Sequence, residues 1–343
     1  SEGMVFVRYF GTMDLRMNGQ SISGSRTYVF SQGSVIRESK LLPVYHGDVT
    51  MIFLKKANND AVSLDVNMVQ YCFPEGRIGL HPLTFSANSG NLIGIMGGSG
   101  AGKSTLLNIL NGNLLPQSGE VLINGISIHE HKNELIDLIG YIPQDDLLIE
   151  ELTVFQNLFF NTKLALPELS DDEIRQKVYE QLESIGLWET KDLKVGSVLN
   201  KTLSGGQRKR VNIALELIRK PSILFIDEPT SGLSSMDSEN VMDLLKQLTL
   251  QGKLIFVVIH QPSSDIFKLF DKLLILDLGG YPAYYGNPSD SLLYFKKVSN
   301  IPTGDSSECE SCGNINPELV FSIIENKVYN EFGKPTNQRR IKP

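Results

Sequence analysis

The sequence has no hydrophobic run long enough to cross a membrane. Its longest uninterrupted apolar stretch is Leu254–Ile259, far short of the roughly 18 residues that a membrane helix needs. A signal peptide is not evident either, because the apolar segment Met4–Val7 is followed at once by Arg8. We therefore expect that these 343 residues do not themselves span a bilayer.

Cysteine is also scarce, with only 3 residues in the chain. Cys72 is isolated, so a disulfide framework is excluded and a reducing cytosol is the easier interpretation. Cys309 and Cys312 have the spacing of zinc ligands, but a structural zinc site needs four ligands. We expect ordinary cysteines there, or half of a site that another chain or missing sequence completes.

The chain also has fewer positively than negatively charged residues. The formal net charge of −7 argues against broad electrostatic binding to nucleic acid, so no nucleic-acid partner is expected. The remaining composition, 41% hydrophobic and 21% charged, is that of a globular protein. The length allows about two domains with a full core.

The chain changes character along its length. Residues 1–60 alternate short apolar pieces with turn signals such as Asn18-Gly19, which predicts a small β-rich unit of unknown role. Residues 61–299 have a mixed α/β pattern and form the predicted main domain. Residues 300–343 form a polar tail with a basic end, which would satisfy the positive-inside bias if a membrane segment followed.

Several segments of the main domain carry strong local signals. Ile223–Ile226 and Leu254–Ile259 are short, wholly apolar and rich in β-branched residues, as expected for central strands of a covered parallel sheet. Asn124-Gly125 predicts a hairpin turn. Ser170 with Glu173 forms a capping box that predicts the start of a helix.

A phosphate-binding loop stands between a predicted strand, Leu92–Met96, and a predicted helix. Residues 97–104 fit the pattern G-x-x-x-x-G-K-[ST], in which backbone N–H groups cradle phosphates. Lys103 would reach the terminal phosphates and Ser104 would hold magnesium. We expect the nucleotide to contact the loop and the residue after it: Gly97, Gly98, Ser99, Gly100, Ala101, Gly102, Lys103, Ser104 and Thr105.

Two acids end the predicted strand Ile223–Ile226. Ligands bind at the carboxyl ends of strands in open α/β sheets, so Asp227 and Glu228 are candidate functional residues. Asp227 suits a magnesium-organising role. Glu228 is one residue further, so its side chain points in a different direction from that of Asp227. It would polarise a water for in-line attack on the γ-phosphorus.

With these motifs in order, residues 61–298 resemble the nucleotide-binding domain of ATP-binding cassette (ABC) transporters. Leu203–Gln207 matches the family signature, whose glycines expose N–H groups at a helix N-terminus. The resemblance implies that this site grips the γ-phosphate of ATP bound to the opposite subunit. It assigns that role to Ser204, Gly205, Gly206 and Gln207.

The resemblance implies roles for three further residues. Gln144 matches the glutamine that senses magnesium and the attacking water and contacts the membrane domain. His260 matches the switch histidine that contacts the γ-phosphate. Phe73 aligns with the aromatic residue that stacks on adenine, with Tyr71 as the competing candidate.

Within the family, the segments 208–218, 259–271 and 284–288 resemble the G, or White, subfamily of exporters. In that subfamily the ATPase domain precedes the membrane domain on one polypeptide. The resemblance therefore implies the front portion of a longer protein, at the cytoplasmic side of a membrane. Its partners would be a transmembrane permease domain and a second nucleotide-binding domain, most simply another copy of this chain.

The expected fold is a P-loop ABC ATPase: a RecA-like parallel sheet core, an antiparallel β subdomain and a helical subdomain. The expected activity is magnesium-dependent ATP hydrolysis that powers transport. Two alternatives stay open, a soluble ABC ATPase acting on nucleic acid or ribosomes and an ATP-gated regulatory binding module. The transported substrate and the homo- or heterodimeric state are not predicted.

One position departs from the family pattern. After the catalytic strand the family reads Gly-Leu-Asp, whereas this chain has Gly232-Leu233-Ser234. A serine retains a hydrogen-bonding group but loses the charge. Because the aspartate couples the two ATP sites of the dimer, the departure puts strong coupling in question.

Overall fold

The computed structural model describes residues 5–11, 13–30, 34–38, 41–46, 49, 61–197, 202–298, 316–325, 327–329 and 335–339. The Cys309/Cys312 pair and most of the polar tail lie outside these residues. Contacts divide the chain into two compact units, residues 1–61 with 134–255 and residues 62–133 with 256–343. The domain boundaries expected from the sequence stay a prediction.

The described residues contain the following strands and helices. The strands are β1 (Val5–Arg8), β2 (Arg16–Met17), β3 (Gln20–Ser21), β4 (Thr27–Phe30), β5 (Val35–Glu38), β6 (Leu41–Tyr45), β7 (Ser63–Cys72), β8 (Ile78–Asn88), β9 (Leu92–Gly97), β10 (Ser118–Ile123), β11 (Ile126–Ser127), β12 (Ile139–Ile142), β13 (Ile223–Asp227), β14 (Leu254–Val258), β15 (Lys272–Asp277), β16 (Tyr281–Gly286), β17 (Lys327–Tyr329) and β18 (Pro335–Arg339). The helices are α1 (Lys103–Leu110), α2 (Lys132–Leu135), α3 (Val154–Ala165), α4 (Asp171–Ser184), α5 (Gly205–Leu217), α6 (Ser235–Leu250), α7 (Ser264–Leu269), α8 (Pro288–Val298) and α9 (Glu318–Glu325).

The beginning of the chain is β-rich, as its turn signals predict. β1 pairs with β4, and a second antiparallel sheet has the order β3-β2-β5-β6. The turn between β2 and β3 uses Asn18 and Gly19, both with positive φ (51° and 82°). This backbone matches the twist of a two-residue hairpin and is the reason for an Asn-Gly pair.

The rest of the first unit combines parallel strands with helices. Its strands β12 and β13 are neighbours and run parallel in a register that pairs Ile142 with Ile226. The predicted central strand at 223–226 is confirmed, and its residues are fully buried. The helices α3, α4, α5 and α6 belong to this unit, and both α3 and α6 pack against elements of the same unit.

The second unit contains two sheets. The antiparallel sheet has the order β11-β10-β7-β8, and the other has the order β14-β9-β15-β16. β9 and β15 are parallel, whereas β16 is antiparallel to β15. The residues of β9 are buried throughout, as a central strand covered on both faces requires. The described residues thus contain the parallel sheet strands, the antiparallel sheet and the helices that the sequence predicts.

Within the described part of the chain, no helix combines the length and the apolar character that crossing a membrane requires.

Local signals place several element boundaries correctly. The Asn124-Gly125 turn joins β10 to β11 in an antiparallel hairpin. The capping box at the start of α4 is complete: the Ser170 hydroxyl accepts from the Glu173 N–H at 3.4 Å and the Glu173 carboxylate accepts from the Ser170 N–H at 2.8 Å. The Ser170 hydroxyl also donates to the Glu173 carboxylate at 2.7 Å, and this bond together with that from the Ser170 N–H holds the pKa of Glu173 below its ordinary value. Both predictions needed only residues that are neighbours in sequence.

We expect Ser170→Ala to destabilise the protein by about 1 kcal/mol, because the first turn of α4 loses its side-chain acceptor. Ser184→Ala is the matched control at the other end of the same helix, where the hydroxyl only donates to the Gln181 carbonyl. Urea unfolding of both variants measures the difference. Equal stability of the two variants would contradict a capping role for Ser170.

Candidate nucleotide site

The phosphate-binding loop connects β9 to α1 in the second unit, as predicted. Gly102 is the N-cap residue of α1, with φ 87° and no side-chain cap. The helix N-terminus, which attracts anions, therefore opens onto the loop. The Lys103 side chain is buried and its Nζ donates to the carbonyls of Gly97 at 2.9 Å and Gly98 at 3.0 Å. These bonds hold a positive charge inside the loop.

Glycine is required in this loop because other backbone segments approach it closely. A Cβ on Gly102 would lie 2.7 Å from the Gly79 carbonyl oxygen, and one on Gly97 would lie 2.5 Å from the Leu276 carbonyl oxygen. Gly100 adopts φ 76°, a conformation that side chains disfavour. The shape of the loop thus depends on β8 and β15 as well as on its own sequence.

The candidate adenine-stacking residue lies beside the same backbone. The half-buried Phe73 ring contacts Gly79, whose carbonyl abuts Gly102. Arg77 covers Phe73 at 4.9 Å from the ring centroid, and Tyr71 meets it edge-on at 5.2 Å. Both aromatic candidates are therefore grouped close to the phosphate loop.

His260 follows β14 and its side chain is exposed. The preceding residue, Ile259, donates its N–H to the Ile95 carbonyl at 3.1 Å, and Ile95 belongs to the strand that enters the phosphate loop. Gln261 then adopts φ 45°, which turns the chain sharply after the histidine. The structure places His260 at the end of a strand adjacent to β9.

In the first unit, Asp227, Glu228 and Gln144 follow two parallel, paired strands. Ile142 and Ile226 are register partners, so Gln144 and Glu228 are each two residues beyond the same pair. Burial and then the charge of Asp227 raise the pKa of the Tyr141 phenol, which places that carboxylate close to β12. The structure therefore brings these three predicted residues to one edge of the sheet.

Glu228 has a left-handed backbone, with φ 42°. A residue with a side chain is strained in this conformation, and such strain is concentrated at functional sites. The Ser231 N–H donates to the Glu228 carbonyl at 3.2 Å, which closes a turn immediately after the strand. The turn redirects the Glu228 side chain relative to that of Asp227.

The structure adds two cations to this group that sequence reasoning left without a role. Lys209 donates to the carbonyls of Pro143 at 3.1 Å and Gln144 at 2.8 Å. Arg208 binds both carboxylate oxygens of Asp146, at 2.9 Å and 3.1 Å. Both side chains are almost fully buried, so helix α5 holds the segment that carries Gln144.

The Lys209 ammonium is buried among carboxylates, and the two influences act on its pKa in opposite directions. Burial lowers its pKa, while the carboxylates of Asp146 and Asp227 act in the opposite direction. A cation next to these acids reduces their mutual repulsion. Nothing local in the sequence marked Lys209 for this role, because the tertiary packing decides which lysine is buried and paired.

The signature segment begins α5 with a complete capping box. The Ser204 hydroxyl accepts from the Gln207 N–H at 3.1 Å, and the Gln207 amide oxygen accepts from the Ser204 N–H at 2.8 Å. Gly205 and Gly206 form the first turn. A Cβ on Gly206 would lie 2.5 Å from Asp237 Oδ1, and one on Gly205 would lie 2.7 Å from Leu233 Cδ2. Gly206 in particular lies directly against the Asp237 side chain where α5 meets the start of α6.

Ser234, the departure from the family pattern, caps α6. Its hydroxyl accepts from the Asp237 N–H at 3.2 Å. The side chain itself is exposed. Serine and aspartate are equally good N-caps, so the local fold is compatible with either residue.

Magnesium fits the chemistry of the predicted donor set. Ser104, Gln144 and Asp227 offer a hydroxyl, an amide oxygen and a carboxylate, all hard oxygen ligands of the kind that Mg²⁺ prefers. Ser104 and Gln144 are exposed and Asp227 is half-buried. Among the described residues, no cluster of three His, Cys, Asp or Glu side chains forms a separate metal site.

Comparison with known proteins places this geometry in a family. Residues 80–231 match the model of the family described as ABC transporter. The matched segment starts in β8 and extends through the phosphate loop, the signature and the Asp227-Glu228 pair. The phosphate loop, Gln144, the signature and the Asp227-Glu228 pair are therefore covered by a single family match, whereas Phe73, Ser234 and His260 lie outside it.

Named relatives agree with this match. The ABC-type transporter claG of Penicillium crustosum is 40% identical over 231 residues, which cover 65% of this chain and 31% of that protein. ABC transporter G family member 22 of Arabidopsis thaliana is 33% identical over 332 residues, covering 93% of this chain and 43% of that protein. This chain thus spans less than half the length of the curated relatives that it matches.

A solved structure is also similar. It is cbiO1 from Clostridium perfringens, described as part of the ABC transporter complex cbiONQ, with 30% sequence identity and a TM-score of 0.59. The match covers 69% of this chain and 94% of that one. The motifs, the fold and these likenesses agree, and the chain belongs to the ABC transporter family as an ATP-hydrolysing nucleotide-binding domain related to its G (White) subfamily.

Proposed function

We propose that this domain hydrolyses MgATP within a head-to-tail dimer and powers transport, specifically export, through a membrane domain of the same full-length protein. It would act at the cytoplasmic side of the membrane. The phosphate loop of one copy and the signature segment of the other would close on the same ATP. The observation that carries the proposal is the placement of Lys103, whose ammonium lies inside a glycine loop at the start of α1.

The proposed roles of individual residues combine the motifs of the family with the local geometry described above. Lys103 and the N–H groups of the loop bind the terminal phosphates. Phe73 stacks on adenine, with Tyr71 as the alternative. Ser104, Gln144 and Asp227 would hold magnesium, which neutralises charge on the phosphate oxygens when bound. Glu228 accepts a proton from the attacking water, and His260 contacts the γ-phosphate.

The contact between α5 and the Gln144 segment supports a mechanical role. Arg208 and Lys209 stand four and five residues after the signature serine Ser204, and both hold the segment 143–146. A rotation of α5 on ATP binding would therefore move Gln144 as well. In this proposal the α5 contact transmits closure of the nucleotide site to the membrane domain.

Lys103→Ala should weaken ATP binding about 10- to 100-fold, since a charged hydrogen bond is worth about 1.5–3 kcal/mol. Isothermal calorimetry with MgATP measures the affinity. Lys163→Ala is the control, because that lysine is exposed and pairs with Asp171 on the helical part of the chain. Unchanged affinity in the Lys103 variant would remove the basis of the proposal.

Glu228→Gln should still bind ATP and should lose turnover by about 10²- to 10⁴-fold, the usual contribution of a general base. Because hydrolysis reopens the dimer, the variant should accumulate as a two-fold symmetric dimer with MgATP. Light scattering distinguishes this dimer from the monomer. A monomeric variant at saturating ATP would rule out the homodimer, leaving an unseen partner or dependence on a membrane domain.

Ser234→Asp should leave ATP affinity nearly intact and give faster turnover or stronger cooperativity, because the position communicates with the neighbouring site. Ser234→Ala is the matched control, which loses the cap of α6 and about 1 kcal/mol of stability. Steady-state ATPase assays against ATP concentration measure both effects. If the aspartate variant keeps wild-type turnover and cooperativity, the serine has no role in coupling.

A further inference from the structure

We propose that the N-terminal sheet β3-β2-β5-β6 braces helix α6 through Arg37 and thereby positions the signature segment. Arg37 is the positioning residue, and Asp243 is its anchor on α6. The effect on turnover rests on the proposed function, whereas the effect on the order of the signature segment does not. Nothing in the nucleotide motifs themselves requires residues 1–60, so the brace assigns a role to this part of the chain.

An ion-pair cluster connects the N-terminal sheet to α6. The Arg37 guanidinium contacts the Asp243 carboxylate and lies 3.4 Å from Glu239 Oε2. The Tyr45 hydroxyl, from the neighbouring strand β6, donates to Asp243 Oδ1 at 3.2 Å. Asp243 is only 7% exposed. A buried carboxylate is costly unless it is paired, so the two strands supply what Asp243 requires.

Helix α6 carries two acidic residues on one face. Glu239 and Asp243 are separated by four residues, so they lie on the same face of the helix. Like charges at this spacing destabilise a helix. Arg37 neutralises both carboxylates. Burial by itself would lower the pKa of Arg37, but the charges of Asp243 and Glu239 outweigh this effect, and the pKa is raised. The N-terminal sheet therefore removes an unfavourable interaction that the sequence of α6 contains.

Helix α6 connects this cluster to the signature segment. Asp237 lies on α6 about 9 Å before Asp243, at 1.5 Å per residue. Its Oδ1 is 3.5 Å from the Ser204 hydroxyl and occupies the space beside Gly206. The same residue donates its N–H to Ser234. Helix α6 thus contacts the signature segment at its start and the N-terminal sheet one to two turns later.

Because the two contacts are on one rigid helix, a shift of α6 would move Asp237 against Gly206. The glycine leaves no side chain to absorb such a shift. An error of about 1 Å in a site of this kind costs up to about 10²-fold in rate. Loss of the brace should consequently affect turnover, while ATP affinity at the phosphate loop, in the other compact unit, should remain.

The test compares Arg37→Ala with Arg16→Ala in the full chain. Arg16 is the register partner of Arg37 on β2, but its ion pair with Asp14 is exposed on both sides, so its loss should be neutral. We expect Arg37→Ala to lower kcat about 10-fold or more with the calorimetric Kd for MgATP within about two-fold of wild type. Arg37→Lys should restore part of the loss, because it retains the charge.

Hydrogen exchange gives a readout that does not depend on catalysis. Arg37→Ala should raise exchange in the peptides covering 203–210 and 235–245, whereas Arg16→Ala should not. If Arg37→Ala does not fold, Asp243→Asn carries the same test, since the amide oxygen still accepts from Tyr45 and only the charge is lost. Exchange and kcat equal to those of Arg16→Ala would overturn the brace. Increased exchange in a protein that has no ATPase activity at all would support the brace and refute the proposed function.

Discussion

Crowding of backbone around the phosphate loop is the constraint on which the rest of the second unit depends. Carbonyl groups of Gly79 and Leu276 approach Gly102 and Gly97 so closely that no Cβ fits. The loop can therefore form only where β8 and β15 present backbone instead of side chains. This close approach aims the N-terminus of α1 and brings the aromatic pair near the loop, both of which a nucleotide requires.

A second recurring feature is the use of backbone carbonyls to hold buried cations. Lys103 is held by the loop residues that precede it, and Lys209 by the Pro143 and Gln144 carbonyls. Arg210 follows the same pattern with Ile185, and burial lowers its pKa. Such bonds fix the position of a charge without neutralising it, so the cations remain able to attract phosphate or carboxylate groups. The bonds of Lys209 and Arg210 also join segments that are separate in sequence.

The signature segment illustrates how local and distant contacts combine. Ser204 and Gln207 satisfy the first turn of α5 on their own, as a capping box does. Where that turn lies is decided by Asp237 and Leu233, which fill the space beside its two glycines. Helix α6 in turn depends on Arg37 for neutralisation of its acidic face. In the proposed brace, the packing of α6 affects turnover although this helix contains none of the predicted catalytic residues.

Sequence alone determined the features that short segments encode. The Asn124-Gly125 turn, the α4 cap and the buried strand at 223–226 need only neighbouring residues, because turn geometry, capping and hydrophobic patterning act locally. The phosphate-loop motif is also local in sequence, but the shape of the loop depends on β8 and β15 as well. The contact of Arg37 with Asp243 joins positions 206 residues apart, and the Lys209 contact with Gln144 spans 65. Lysine and arginine side chains reach many acceptors, and only the packed backbone selects one of them. The sequence therefore determined which charged groups are present, and the tertiary structure determined which of them pair.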